Sequence, residues 1–352
     1  MEISEIQIDG YEKVVRCRDE ASGLHAIIAV HDTTLGPALG GMRMLPYASE
    51  DEALFDVLRL SRGMTFKSAV ADTGLGGGKS VILGDPKLMK SEALFETMGR
   101  FIDSLDGLYI TAEDMNIAIP DLEVVRRRTR WVTGLSRESG SSGNPSPYTA
   151  LGCKVGMGAA LEEALDGPDL SRRRILIQGV GAVGGRLAVM LHEAGADVLI
   201  CDINEERVAQ LVREHGFEAV PDEAHLEVEC DIYAPCARGA IINDDTIPKL
   251  RCKIVAGCAN NQLLEPAHAD VLRARGILYA PDFVINAGGI INVSTELLPG
   301  GYDEEAALRK IDTVADNLRR VFEISRAEDI PTNDAAYKLA EERLSAGRVR
   351  NP

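Results

Sequence analysis

A chain of 352 residues has room for two domains with sizeable cores, and 45% hydrophobic with 26% charged residues is the make-up of a globular protein. A formal charge of −17 argues against a general binder of nucleic acid or membrane surface, because phosphates would be repelled. No apolar run nears the roughly 18 residues of a membrane span; Met1–Ile6 lacks the basic and apolar regions of a signal peptide; and Cys17, Cys153, Cys201, Cys230, Cys236, Cys252 and Cys258 are scattered without Cys-x2-Cys spacing, so reduced thiols, no metal and a cytoplasmic location are expected.

In chain order, Val14–Cys17 alternates weakly and His25–Val30 is a continuous apolar run, so both are expected as strands. Leu35–Met44, punctuated by glycine, is expected as a strand or loop. Ser49 with Glu52 makes a capping box, and Ala53, Leu54, Val57, Leu58 and Ser61 fall on one helical stripe, giving a helix that reaches Lys67. Taken alone, Lys67 is a helix-end lysine answering the macrodipole. Gly74, Gly76, Gly77 and Gly78 then crowd before Lys79, and a turn is expected there, followed by a strand at Ser80–Leu83. Such a turn would let another body approach the backbone, and a partly desolvated lysine in it has a lowered pKa suited to acid–base chemistry. A Walker A loop needs glycine six residues before the lysine; Thr73 stands there, so the phosphate nest is a residue short. A solvated lysine at the entry to a strand is the plainer alternative.

Ser91–Leu105 reads as an amphipathic helix, Tyr109–Asp114 as a strand, Asp121 as a helix start and Trp131–Gly134 as a strand. An acid where a parallel strand ends faces the crevice in which open α/β sheets bind ligands, which singles out Asp114. Residues 136–147, rich in Ser, Gly and Pro, are the expected linker, and Thr149–Leu165 follows as a helix.

A βαβ dinucleotide fingerprint comes next. The apolar strand Ile175–Ile177 leads into Gly179-Val180-Gly181-Ala182-Val183-Gly184, a helix opens over Arg186–Glu193, and a second strand, Asp197–Cys201, ends at Asp202, 23 residues past the first glycine. Pyrophosphate on the helix N-terminus and an acid for the ribose hydroxyls are its two requirements, and an aspartate there would repel a 2′-phosphate, so NAD is expected over NADP. Further strands at Ile232–Ala234, Ile254–Ala256 and Leu278–Ala280 run into loops that carry Asn260, Asn261 and Asn286, each by itself an ordinary turn residue. Tyr302–Arg326 reads as one long helix and Thr332–Leu344 as another. The expected fold is α/β in two domains, with the second a Rossmann dinucleotide-binding domain over residues 136–329.

The stretches His31–Gly41, Leu60–Lys67, Leu75–Ile82, Ile110–Asp114, Gly143–Pro147, Ala234–Ala237, Ala259–Leu263 and Pro281–Val293 occur in an order that resembles the Glu/Leu/Phe/Val amino acid dehydrogenases, nearest to the leucine-acting members. The resemblance implies two α/β domains closing over a cleft. Residues 1–135 would bind substrate and make the subunit contacts, residues 330–352 would fold back onto them, and the chain would be a homo-oligomer, an octamer or a dimer. It also implies that Lys79 and Asp114 are catalytic, with Lys67 clamping the α-carboxylate and Asn261 as its second contact. Thr149, the Gly179–Gly184 loop, Asp202, Ala237 and Asn260 would hold NAD. Leu39 stands where the glutamate-acting members carry a lysine, and the other side-chain pocket positions implied are Gly40, Met64, Ala112, Ile290 and Val293.

Those residues suit oxidative deamination of an amino acid to a 2-oxo acid, which needs a hydride acceptor and protons moved near neutral pH. An apolar pocket without a spare cation would leave a glutamate side chain unpaired but separates apolar side chains by only about 1–3 kcal/mol per methylene. Leucine, isoleucine and valine are therefore expected ahead of phenylalanine or tryptophan. Three departures from the leucine-acting pattern stand out: Met115-Asn116-Ile117 for small residues, Arg238 for an apolar one, and Cys258 for serine. A catalytically silent NAD-binding homologue would have no need of Lys67, Lys79 and Asp114 together.

Overall fold

The computed structural model describes residues 1–350. Its first sheet is built from β1 (Glu2–Glu5), β2 (Lys13–Asp19), β3 (Leu24–Asp32), β4 (Ala38–Leu45), β5 (Gly76–Leu83) and β6 (Tyr109–Ala112), in the order β1-β2-β3-β5-β4-β6. β4 runs parallel to both β5 and β6, while the remaining pairings are antiparallel. Helix α1 (Glu50–Val70) starts where its sequence signals: the extended Ser49 hydroxyl accepts from the Glu52 N–H at 3.1 Å, and Glu52 reaches back to the Ala48 N–H. Ala53 and Val57 of α1 pack on Ile27, Ala29 and Val81. Helices α2 (Glu92–Asp103) and α3 (Ile119–Arg126) cover the opposite face, where Leu94, Phe101 and Leu122 meet Ile28, Met42 and Ile82. With both faces covered, the strands read as near-continuous apolar runs, and each large side chain so buried stabilises by roughly 1.5–3 kcal/mol.

Gly76–Gly78 lie inside β5, not in a turn before it. A Cβ on Gly77 would stand 2.5 Å from Thr65 Cα of α1, and one on Gly78 would stand 2.8 Å from the Tyr109 ring. The missing side chain of Gly77 lets α1 lie directly on β5 and that of Gly78 admits the Tyr109 ring, so the space they vacate is filled by the protein's own atoms. Trp131–Gly134 likewise gives a single bridge, Val132 to Thr111, and no strand. The Ser/Gly-rich stretch is tied down: the Glu296 carboxylate accepts from the Gly134 N–H (3.0 Å), the Ser142 N–H (2.9 Å) and the Ser141 hydroxyl (2.6 Å).

The second sheet follows helix α4 (Ser146–Ala164). It alternates β7 (Arg174–Gln178), α5 (Gly184–Glu193), β8 (Asp197–Cys201), α6 (Glu205–His215), β9 (Glu218–Ala219), β10 (Ile232–Pro235), β11 (Ile254–Val255), α7 (His268–Ala274) and β12 (Leu278–Tyr279). All its strands are parallel in the order β12-β11-β10-β7-β8-β9, a doubly wound sheet whose chain direction switches between β7 and β10. Helices α8 (Asp282–Ile285), α9 (Gly288–Ser294), α10 (Glu304–Ile311), α11 (Thr313–Glu328) and α12 (Thr332–Arg350) complete the chain. The expected long helix over Tyr302–Arg326 is broken at Asp312, where the Thr313 hydroxyl donates to the Lys310 carbonyl at 2.7 Å in competition with the helical ladder.

Contacts divide the chain into two compact units, one of Met1–Asn144, Val293–Asp303 and the residues from 340 onward, the other of Pro145–Asn292 and Glu304–Leu339. The divisions thus fall at 144/145, 292/293, 303/304 and 339/340, where the sequence places only two, at 135/136 and 329/330. Glu296 anchors residues 134–142 to the first unit, and Arg343 donates to the Ala69 carbonyl at 3.1 Å while Arg348 meets Asp32 at 3.1 Å. No helix among the described residues is long and apolar enough to cross a membrane.

Candidate active site

Strand register brings the chemistry together in the first unit. Val81 lies on the α1 face of the sheet, so Lys79, two residues earlier on β5, lies on that face as well. On β4, Arg43 is paired with Val81 and shares the face. Gly41 of β4 pairs with Ala112 of β6, and two residues further the same register sets Asp114 opposite Arg43. Lys79 Nζ then meets Asp114 Oδ2 at 2.5 Å, and Arg43 Nε donates to the same oxygen at 3.1 Å.

Lys79 is 6% exposed. Burial alone would push the Asp114 carboxyl up, but the Lys79 ammonium and the Arg43 guanidinium outweigh it and hold the group at about 2. Its neighbour Glu113 goes the other way, raised by its own burial and by the charge on Asp114. The site therefore holds an ionised carboxylate, partly exposed, in contact with a buried lysine, an arrangement that can pass protons between two groups.

In the same unit, Leu39 (1% exposed) sits on β4 beside Gly40, and a Cβ on Gly40 would stand 3.4 Å from Met64 Cγ of α1. Ala112 ends β6, and Lys67 stands in the last turn of α1. Val293, buried, also belongs to the first unit, whereas Ile290 and Asn261 belong to the second. Asn116 follows the acid with φ +63°, its side-chain amide donating to the Met44 carbonyl at 3.0 Å, so this departure serves a left-handed turn.

In the second unit, the loop after β7 has the form that a dinucleotide needs. Gly179 has φ +94°, and a Cβ on it would stand 2.9 Å from Ala237 Cα, so only glycine lets the loops after β7 and β10 meet at the switch point. Asp202 Oδ2 accepts from the Val180 N–H at 2.8 Å. Val180, Gly181, Ala182 and Asp202 line a depression of 480 Å³ at the start of α5, together with Arg186, Asn204 and Arg207. Backbone N–H groups and two guanidinium groups suit a pyrophosphate, the carboxylate suits ribose hydroxyls, and a Cβ on Gly181 would enter open space, so the cradle fits a dinucleotide. Asn260 accepts from the Asn286 side-chain amide at 2.8 Å, and Thr149 is hydrogen-bonded to the Pro145 carbonyl on α4.

Comparison with known proteins agrees with both halves of this geometry. Residues 11–136 match the model described as Glu/Leu/Phe/Val dehydrogenase, dimerisation domain, and residues 199–349 match that of Glutamate/Leucine/Phenylalanine/Valine dehydrogenase. The chain is 54% identical to a leucine dehydrogenase of Geobacillus stearothermophilus, over 97% of this chain and 93% of that one. It belongs to the Glu/Leu/Phe/Val dehydrogenase family. A valine dehydrogenase of Streptomyces virginiae is 47% identical over 96% of this chain and 95% of the other. The crystal structure of L-tryptophan dehydrogenase from Nostoc punctiforme superposes with a TM-score of 0.85 at 41% identity, covering 96% of this chain and 97% of that one.

As a Glu/Leu/Phe/Val dehydrogenase, the chain is an amino acid dehydrogenase. Within each unit the structure gathers several of the residues named from sequence: Lys79 with Asp114, Gly40 with Met64, Gly179 with Ala237, and Asp202 with Val180. Sequence reasoning missed Arg43, although it is the one charged residue in the apolar run Ala38–Leu45, a usable signal once that run is taken as a strand. It also missed Gln262 and Asp282. Gln262, fully buried, donates its side-chain amide to the Gly257 and Ala259 carbonyls at 2.8 and 3.0 Å, and its N–H to Asp282 at 3.0 Å, which fixes the loop bearing Asn260 and Asn261.

Proposed function

We infer that this enzyme oxidises L-leucine, L-isoleucine and L-valine with NAD, giving the 2-oxo acid, ammonia and NADH, and runs the reverse amination. The observation that carries this reading is the buried Lys79–Asp114 pair at 2.5 Å in a chain 54% identical to a leucine dehydrogenase. Bound at the Gly179–Gly184 loop and Asp202, with Thr149, Ala237 and Asn260, NAD would supply the hydride acceptor. Lys67 pins the substrate α-carboxylate, with Asn261 as its second contact, so that Cα is held for transfer. Asp114, ionised beside Lys79, takes a proton from the substrate amine and returns it to the leaving ammonia. Lys79 serves the water that adds to the iminium carbon, holding and moving its proton.

Leu39, Gly40, Met64, Ala112, Ile290 and Val293 offer no cation, which favours an apolar side chain over the carboxylate of glutamate. The first unit is assigned to subunit contacts and most of the substrate contacts, and the second to the cofactor, with Asn261 and Ile290 as its contributions to the substrate. The description of the first matched segment as a dimerisation domain supports subunit association; a dimer or octamer, and a cytoplasmic location, are part of the same proposal. The test is NAD reduction with L-leucine, L-valine, L-isoleucine, L-phenylalanine, L-tryptophan and L-glutamate. The first three are expected to give the highest kcat/KM; absence of reduction with all six would overturn the function, and an aromatic optimum would overturn the substrate class.

Asp202 gives a separate prediction for the cofactor. Asp202→Ser is expected to raise KM for NAD by about tenfold, by loss of the ribose contacts, and to narrow the preference against NADP. Initial rates with the two cofactors check it; an unchanged ratio would remove Asp202 from cofactor selection.

A further inference from the structure

Behind Asp114 lies a second layer of charge that the reaction as described does not use. Arg43 forks between two carboxylates: its Nε donates to Asp114 Oδ2 and its Nη1 to Asp56 Oδ2, each at 3.1 Å. Asp56, 8% exposed on α1, is held in turn by the Tyr47 hydroxyl at 2.8 Å and by Arg59 Nε at 3.0 Å. We propose that Arg43 is a positioning residue for proton transfer: anchored by Asp56 and Tyr47, it fixes the Asp114 carboxylate toward Lys79 and keeps it ionised when Lys79 turns to the substrate. This rests on the assignment of Asp114 as the proton-transfer group.

Three features support it. The two cations converge on one oxygen of Asp114, so Arg43 would still hold that oxygen in place with Lys79 turned away. A guanidinium presents separate N–H groups in a fixed plane and can bridge both acids, whereas a lysine ammonium is a point charge that cannot reproduce that fork. The close approach is also built into the backbone, since a Cβ on Gly41 would stand 2.7 Å from Asp114 Cβ, so the glycine lets Asp114 lie against β4, the strand that carries Arg43.

The charged and titratable groups facing Asp114 are Lys79 from β5, Arg43 from β4, Tyr47 from the segment after β4, Glu113 next to it and Tyr109 from β6, with Asp56 and Arg59 of α1 one step behind. Lys79 and Arg43 lower its pKa, so loss of Arg43 raises it toward the ordinary carboxylate range. The carboxylate form is then lost at a higher pH than in the wild type, and the acid-side fall of kcat/KM moves upward.

The experiment measures kcat, KM and the pH profile of kcat/KM for L-leucine on the full chain, with folding checked by thermal melting. Arg43→Met is expected to lower kcat roughly 10–100-fold, the effect of a misplaced catalytic group, and to move the acid limb up by about one pH unit. Arg43→Lys keeps the charge but not the fork, so it is expected to hold the acid limb near its wild-type position with a lowered kcat. Combined with Asp114→Asn, Arg43→Met should add no further loss. Should Arg43→Met fail to fold, Arg43→Gln, which removes the charge and the fork but keeps a polar end, is read in its place with the same expected shift. An acid limb unmoved by the neutral variants, or a loss additive with Asp114→Asn, would reduce Arg43 to a structural ion pair. Wild-type rates in Asp114→Asn alone would instead overturn the role of Asp114, and the inference with it.

Discussion

Lys79→Ala is expected to lower kcat/KM for L-leucine by about 10³-fold, within the range that a positioned acid–base group contributes, while leaving NAD affinity unchanged. Lys79 lies on the first unit and the dinucleotide fingerprint on the second, so truncating the lysine touches no residue assigned to the cofactor. What it removes is the ammonium 2.5 Å from Asp114. Arg43 still holds the carboxylate ionised, so the variant keeps its base and loses the group proposed to serve the water. Lys79→Arg should not restore the rate, because a guanidinium keeps its protons throughout the working range and cannot exchange one. Initial rates and cofactor titration check both statements; kcat/KM within tenfold of wild type would exclude Lys79 from the chemistry.

The second large effect concerns stability. Gly77→Ala is expected to destabilise the first unit by about 1–3 kcal/mol, the usual cost of overpacking, and to lower the thermal midpoint. The added methyl would lie 2.5 Å from Thr65 Cα, a backbone atom in the middle of α1, so the helix must shift bodily and not merely turn a side chain. Because α1 carries Met64 and Lys67, the folded fraction should also bind substrate less tightly. Gly181→Ala is the control, since a Cβ there meets open space in the second unit and should leave the melt alone. Equal midpoints for Gly77→Ala and wild type would show that the strand and helix have room to part.

These residues also mark how far the sequence could be read. The Rossmann half was legible because its determinants are local: an apolar strand, three glycines at fixed offsets, a helix and a terminal acid fall within Ile175–Asp202. In the first unit, single elements such as the Ser49-capped α1 were legible for the same reason. The glycines before Lys79 were not, since residue spacing cannot tell a turn from a strand on which a helix lies; that depends on Thr65 arriving from a different element. Arg43 and Asp114 are 71 positions apart, and Lys79 meets Asp114 only because β4 runs parallel to both β5 and β6. Lys79 and Asp114 are each singled out by a local signal, the glycines before one and the strand end before the other, but their joint assignment to catalysis comes from resemblance to a family. Glu296 was silent altogether, because a glutamate after an apolar helix gives no sign that it will fasten residues 134–142 to the first unit.

The most direct measurement is the initial rate of NAD reduction with L-leucine and with L-glutamate, with released ammonia assayed in parallel. A leucine-acting dehydrogenase gives NADH and ammonia in equal amounts with leucine, and a rate with glutamate lower by orders of magnitude. No NADH with leucine, or a faster rate with glutamate, would contradict it.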